Sequence, residues 1–271
     1  MRAALRLTFP PLVRRFSAAT LHLGDAASFS RLARARRSAA FLDPSQPVPR
    51  SVVDELVALT ARAPSGFNMQ PYRVVLVTDG RARERVAASM LGAANAARVR
   101  DAPLVAVFAA DLRCTECAGE VQEMEAAAGG KSPAYLRELP FTVAAFAGGG
   151  GGGGADFGTL RGAAAGALSA LTGMPLPPFG VPGVAWAYKQ TALAAMTYVY
   201  AATSQGLATR MMEGLDPAKA AAAVGLPAPR FSVPLLVVAG YELAQQPEPL
   251  PPPSPRRVKG VFFKDSVATD Y

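Results

Sequence analysis

The chain has 271 residues, of which 51% are hydrophobic and 18% are charged. This length and hydrophobic content suffice for one domain with a full core, and no apolar run reaches the roughly 18 residues that a membrane span requires. The net charge of +8 is compatible with a nucleic-acid-binding protein, but its distribution along the chain argues against that class.

The first 24 residues carry much of the positive charge. They contain four arginines and no acidic residue, so their removal reduces the net charge from +8 to +4. Ser17, Thr20 and apolar residues lie among these arginines, a pattern typical of an organellar transit peptide. We therefore expect residues 1–24 to be a cleavable leader of mitochondrial type and expect no nucleic-acid partner. A disordered tail, and with it another organelle or the cytoplasm, is the alternative.

Helices alternate with a few strands in the rest of the chain. The helices are predicted at 31–37, at 51–62 behind a capping box that starts at Ser51, at 81–97, at 189–205 before the terminator Gly206, and after Asp216-Pro217. The strands are predicted at 73–78, 104–110, 232–241 and 261–263. This order predicts an α+β sandwich, with helices packed against one mixed sheet.

The segment 112–183 shows no clear periodicity, and residues 148–154 are seven consecutive glycines. No Lys-Ser or Lys-Thr follows them, which excludes a Walker phosphate loop. We expect an irregular, glycine-rich insertion within a single domain that covers residues 31–264. Cys114 and Cys117 form one C-x-x-C pair; since a zinc site needs further ligands, we expect reduced thiols and no metal.

Residues for histidine-dependent catalysis are missing from the predicted mature chain. The single histidine, His22, lies in the leader, and no G-x-G-x-x-G motif follows a strand. A protein this poor in general acids and bases needs a cofactor for difficult chemistry. Arginine pairs and an amide-rich loop at 64–71 suit an anionic, aromatic cofactor, because guanidinium groups bind phosphate through paired hydrogen bonds.

Three motifs in this order resemble the nitroreductase family of flavoproteins. They are Arg-Arg-Ser at 36–38, A-P-S-G-F-N-M-Q-P-Y at 63–72, and Met-Glu-Gly-Leu-Asp-Pro at 212–217. The resemblance covers about residues 31–110 and 184–263. It implies a nitroreductase-like sandwich with a mixed, mostly antiparallel sheet, an intertwined homodimer, and FMN bound between the two subunits.

The resemblance also implies which residues contact FMN, with no catalytic side chain among them. The phosphate contacts would come from Arg36, Arg37, Ser38 and Arg256. The contacts from the partner subunit to the ring edge would come from Ser65, Gly66, Asn68 and Gln70. The contacts to the pyrimidine side would come from Asn95 and Arg98, and those near flavin N5 from the backbone of Glu213 and Gly214.

The implied activity is ping-pong transfer of a hydride from NADH or NADPH through FMN to a nitroaromatic, quinone or similar small acceptor. A flavin-dependent dehalogenase, a flavin-fragmenting enzyme and a non-catalytic flavin-binding regulator are the alternatives. Two positions depart from the family. Ala39 and Ala40 follow Ser38 where a basic residue is usual, and Ser254-Pro255-Arg256 replaces a Lys-x-Arg motif.

Overall fold

The computed structural model describes residues 26–147, 167, 169–172 and 183–244. The predicted leader at 1–24, the glycine run at 148–154, the predicted strand at 261–263 and Arg256 lie outside the described residues. The corresponding expectations therefore remain predictions.

A four-stranded sheet in the order β1-β2-β4-β3 forms the centre of the fold. Its strands are β1 (Tyr72–Val77), β2 (Leu104–Asp111), β3 (Ala208–Met212) and β4 (Phe231–Gly240). All three strand pairings are antiparallel, and Val107 of β2 lies opposite Val75 on one side and Leu236 on the other. Every residue of β2 is buried, which accounts for the apolar run from Leu104 to Ala110.

Helices cover both faces of this sheet. In chain order they are α1 (Ala26–Ala35), α2 (Arg50–Thr60), α3 (Gly80–Ala87), α4 (Ala93–Asp101), α5 (Ala118–Ala128), α6 (Pro133–Ala147), α7 (Gly183–Ser204) and α8 (Pro217–Ala223). Helices α2 and α7 pack on one face, and α3, α4 and α8 pack on the other. Within the described residues, no helix is both long enough and apolar enough to cross a membrane.

The alternation of side chains along β2 divides the core into two layers. Phe108 points toward α7, where its ring lies 5.6 Å from that of Tyr198 in an edge-to-face arrangement. Val105 and Val107 point toward the opposite layer. The structure confirms the predicted α+β sandwich and the strands at 73–78, 104–110 and 232–241, each to within one residue at either end.

Several predicted helix boundaries are wrong. Helix α7 begins at Gly183 and not at 189, and its first turns bury Trp186 and Ala187 in the core. Helix α1 ends at Ala35, and the following residues leave the helical path because the Ala39 amide donates to the Thr209 carbonyl oxygen of β3 at 2.9 Å. Helix α2 begins at Arg50 after Pro49 and has no side-chain cap. Ser51 therefore lies within the first turn, and the predicted capping box does not form.

The predicted helix at 81–97 is in fact two helices. Asp79 caps α3 by accepting a hydrogen bond from the Ala82 amide, and α3 ends at Ala87. The chain then leaves the helical path because Met90 bridges to Leu215. This tertiary contact, which local sequence does not reveal, separates α3 from α4.

Residues 112–147 are largely helical, contrary to the predicted irregular segment. A short 3₁₀ turn at Cys114–Cys117 leads into α5, and α6 follows. Val121 of α5 and Leu139 and Val143 of α6 form a third core cluster with Trp186 of α7. Only two residues of α5 are buried, so the helical periodicity of its hydrophobic residues is weak.

Candidate functional site

The basic segment after α1 runs alongside β3. Ser38 forms a parallel bridge with Thr209, and Arg36 and Arg37 line a cavity of about 190 Å³ at the end of α7. Arg37 Nη2 also lies 2.5 Å from Glu242 Oε2. The predicted pair of arginines is therefore placed at one edge of the sheet, with the charge of one already matched by a carboxylate that sequence reasoning had not identified.

Asn95 and Arg98 of α4 come together beside this edge with Gly214, which is distant from them in sequence. Arg98 Nη1 donates to Asn95 Oδ1 at 3.2 Å. A Cβ atom added to Gly214 would lie 3.4 Å from Asn95 Nδ2, so this glycine permits close approach of the backbone to α4. The Leu91 amide fixes the turn by donating to the Gly214 carbonyl at 2.8 Å. Glu213 precedes it and is exposed.

Arg210 of β3 belongs to the same cluster, and sequence analysis missed it. Arg98 and Arg210 both line a cavity of about 270 Å³ beside Ala39 and Ala40. Burial, reinforced by the positive charge of Arg98, lowers the pKa of Arg210. The Nε of Arg98 is buried and has no hydrogen-bond partner among the described residues. The sequence signal that could have identified Arg210 is the position of an arginine within the largely apolar stretch at 208–212.

The loop at 65–70 has an unusual backbone. Phe67, Asn68 and Gln70 have φ angles of 55°, 56° and 46°, in the left-handed region that residues with a Cβ rarely adopt. Such a conformation costs on the order of 1–3 kcal/mol per residue and is most often retained where it serves a function. The side-chain hydroxyl of Ser65 partly compensates by accepting from the Gln70 amide at 2.9 Å.

Two helices hold this loop in place. The Gly66 amide donates to Gln190 Oε1 of α7 at 2.9 Å, and a Cβ at Gly66 would lie only 3.1 Å from the Trp186 ring. Asn68 Nδ2 donates to Glu125 Oε1 of α5 at 2.9 Å. Glu125 therefore positions a predicted site residue.

The loop and the arginine cluster lie at opposite edges of the sheet. The loop precedes Tyr72 of β1, whereas Ser38 runs beside β3, and three strand intervals of about 4.8 Å separate these edge strands. The loop and Ser38 also lie at opposite ends of the sheet. Tyr72 is level with Ala110, which pairs with Ser232 near the start of β4, whereas Ala208 pairs with Gly240 at the end of β4. One chain therefore brings Arg36, Arg37, Ser38, Asn95, Arg98, Glu213 and Gly214 to one edge and Ser65, Gly66, Asn68 and Gln70 to the other.

The cysteine pair lies in the core cluster that also contains Met69 and Phe67 of the loop at 65–70. Cys114 and Cys117 are free thiols. Burial is the main cause that raises the pKa of Cys114 to about 12, so this thiol is protonated at neutral pH. In the part of the chain that the structure describes, no group of three metal-ligating side chains could hold a metal ion. The two free sulfurs agree with the expectation of reduced thiols.

Sequence comparison identifies relatives of this chain. The model of the nitroreductase family matches residues 33–241. An NADH dehydrogenase of Thermus thermophilus is 38% identical over 66 residues, which are 24% of this chain and 31% of that protein. An iodotyrosine deiodinase of Danio rerio is 36% identical over 58 residues, which are 21% of this chain and 19% of that protein. The matched segments thus span less than a third of either relative.

Solved structures share the fold at low sequence identity. A nitroreductase family protein from Streptococcus pneumoniae matches with a TM-score of 0.62 and 20% identity, over 87% of this chain and 99% of that chain. A protein from Exiguobacterium sibiricum, described as a nitroreductase and solved in complex with FMN, matches with a TM-score of 0.57 and 18% identity, over 83% of this chain and 93% of that chain. Since the family match covers most of the chain and the fold agrees, the chain belongs to the nitroreductase family.

Proposed function

We propose that this protein is an FMN-dependent oxidoreductase that uses NADH or NADPH to reduce small acceptors such as nitroaromatics or quinones. The observation that carries the proposal is the convergence of Asn95, Arg98 and Gly214, where the buried Nε of Arg98 has no partner in the part of the chain that the structure describes. Unpartnered buried donors are rare in proteins, and an anionic, hydrogen-bonding ligand would satisfy this one. The names of the Thermus thermophilus relative and of the FMN complex agree with this assignment.

The donor groups at this edge suit the parts of FMN. Arg36, Arg37 and Ser38 would hold the phosphate, since arginine binds phosphate through paired hydrogen bonds. Arg98 would face the pyrimidine edge, and the close approach at Gly214 would bring backbone to the centre of the ring. When bound, FMN supplies the redox chemistry by accepting a hydride from the nicotinamide and passing it to the acceptor. The protein's own residues bind and orient it.

We further propose that the site is shared between two copies of the chain. The loop at 65–70 holds backbone strain and amide side chains at the edge opposite the arginines. A second copy related by a twofold axis would place its loop against this copy's arginine cluster, and the reverse. The close packing of Gly66 against α7 would fix the distance between the loop and the FMN ring bound by the partner copy.

Absorbance spectroscopy tests the cofactor. We expect the purified full chain to be yellow, or to become so with added FMN, and to bleach anaerobically with NADH or NADPH. Arg98→Met should weaken FMN binding by at least tenfold. Arg100→Met on the same helix is the matched control, because Arg100 is exposed and pairs with Glu84. Protein that stays colourless and ignores added FMN contradicts the proposal.

Complementation tests the shared site. Arg98→Met and Asn68→Ala should each impair both sites of a homodimer. When the two variants are co-expressed, a mixed dimer would contain one intact site and one doubly altered site. The isolated mixed dimer should therefore recover about half of the wild-type activity, and the unseparated population should recover less. Sites built within single chains would show no such recovery.

A second candidate is reductive dehalogenation, favoured by the match to iodotyrosine deiodinase. The two functions share the flavin and differ in the acceptor. Turnover of a halogenated phenol without turnover of nitroaromatics would identify the dehalogenase. A flavin spectrum that NADH, NADPH and chemical reductants affect without any acceptor turnover would instead indicate a binding protein.

A further inference from the structure

Arg98 and Arg210 direct two positive charges at the same cavity. The cavity has a volume of about 270 Å³, and within the described residues neither guanidinium forms an ion pair. Asp101 also lines the cavity but is exposed and pairs with neither. Two unpaired like charges beside a cavity oppose each other, and an anion bound between them would remove that repulsion.

A hydrogen bond to the segment that follows Ser38 holds Arg210 beside the cavity. Its Nη1 donates to the Ala39 carbonyl oxygen at 2.8 Å, which ties β3 to the segment that follows Ser38. The side chain of Ala40 lines the same cavity and fills little of it. Arg210 of β3 therefore places a positive charge in the cavity, where Ala40 contributes only a methyl group.

We propose that Arg210 acts beside Arg98 as a second cationic contact for the pyrimidine edge of FMN and favours the reduced, negatively charged form. This inference rests on the proposed function. A guanidinium fixed in a cavity of low polarity interacts with a developing negative charge more strongly than it would in water. The chain thereby replaces the basic residue missing at position 40 with one from β3.

The midpoint potential of bound FMN tests this role independently of turnover. We expect Arg210→Gln to weaken binding of reduced FMN about tenfold more than binding of oxidised FMN, which lowers the two-electron potential by about 30 mV. Arg210→Lys should retain most of the wild-type potential. Arg100→Gln, which removes the same charge from an exposed position on α4, should leave the potential unchanged.

Two further variants keep the test decisive if Arg210→Gln does not fold. Ala40→Glu leaves Arg210 in place but puts a carboxylate beside both guanidiniums, so it should also lower the potential. Ala40→Lys combined with Arg210→Gln should restore it. Equal FMN midpoint potentials in Arg210→Gln and Arg100→Gln would overturn the proposed role of Arg210 but not the proposed function. An unchanged potential in Ala40→Glu would have the same meaning. Failure of the wild-type chain to bind FMN would instead reject the proposed function.

Discussion

The hydrogen bond from the Gly66 amide to Gln190 Oε1, at 2.9 Å, joins the strained loop to α7. Gln190 is 4% exposed, so water cannot readily replace it as the acceptor. Gln190→Leu keeps the side-chain size but removes the acceptor. Because the Gly66 amide is half-buried, loss of this hydrogen bond should cost about 0.5–1.5 kcal/mol, and in a domain of this size each kcal/mol lowers Tm by about 2–4 °C.

Thermal unfolding measures this loss directly. The matched control is Gln205→Leu, which makes the same change at an exposed position just beyond the end of α7. We expect the Gln190 variant alone to lose stability, and under the proposed function its affinity for FMN should fall as well, because the loop is released. Equal Tm values for the two variants would refute the argument that this single contact holds the loop.

Three other predictions concern glycine packing, thiol reactivity and helix capping. Gly240→Ala should lower stability by about 1–3 kcal/mol in chemical unfolding, since its Cβ would lie 2.6 Å from the Pro103 ring; Gly119→Ala, with open space around it, should instead be neutral or stabilising. Cys114, whose pKa is raised to about 12 mainly by burial, should resist iodoacetamide at pH 8 until the chain unfolds, and rapid native labelling found by mass spectrometry would contradict this. Hydrogen bonds from backbone amides of α8 lower the pKa of Asp216 below its ordinary 3.8, so its charge stabilises the fold above pH 3.8 and that contribution disappears as pH falls through the lowered pKa. The stability difference between wild type and Asp216→Asn should therefore vanish in acid. A difference that stays constant with pH would contradict this prediction.

The sequence predicts those elements whose signals are local. Residues 104–110 of β2 are a continuous apolar run because both faces of the strand are buried. The end of α7 was predictable because Gly206 adopts a φ of 75°, which favours glycine. The start of α8 was predictable as well, since Asp216 accepts hydrogen bonds from two backbone amides of the first turn.

The elements that were not predicted depend on contacts distant in sequence. Strand β3 has five residues, pairs with β4 and lies at the edge of the described sheet, so its hydrophobic pattern is short and its side chains are partly exposed. The break between α3 and α4 follows from a bridge between Met90 and Leu215. Arg210 was missed for the same reason, because its importance comes from Arg98, which lies on another element and faces the same cavity.

The loop at 65–70 presents the strongest argument for a second copy of the chain. Natural folds rarely keep successive non-glycine residues in the left-handed region unless surrounding contacts enforce it and function benefits. Here Gln190 and Glu125 enforce it, yet the arginine cluster that would share a cofactor with the loop lies across the sheet, about 14 Å away by strand spacing alone. A bound ring cannot bridge that distance through a packed core. The strain is explained if the loop serves the site of a twofold-related partner, and the complementation of Arg98 and Asn68 variants decides that point.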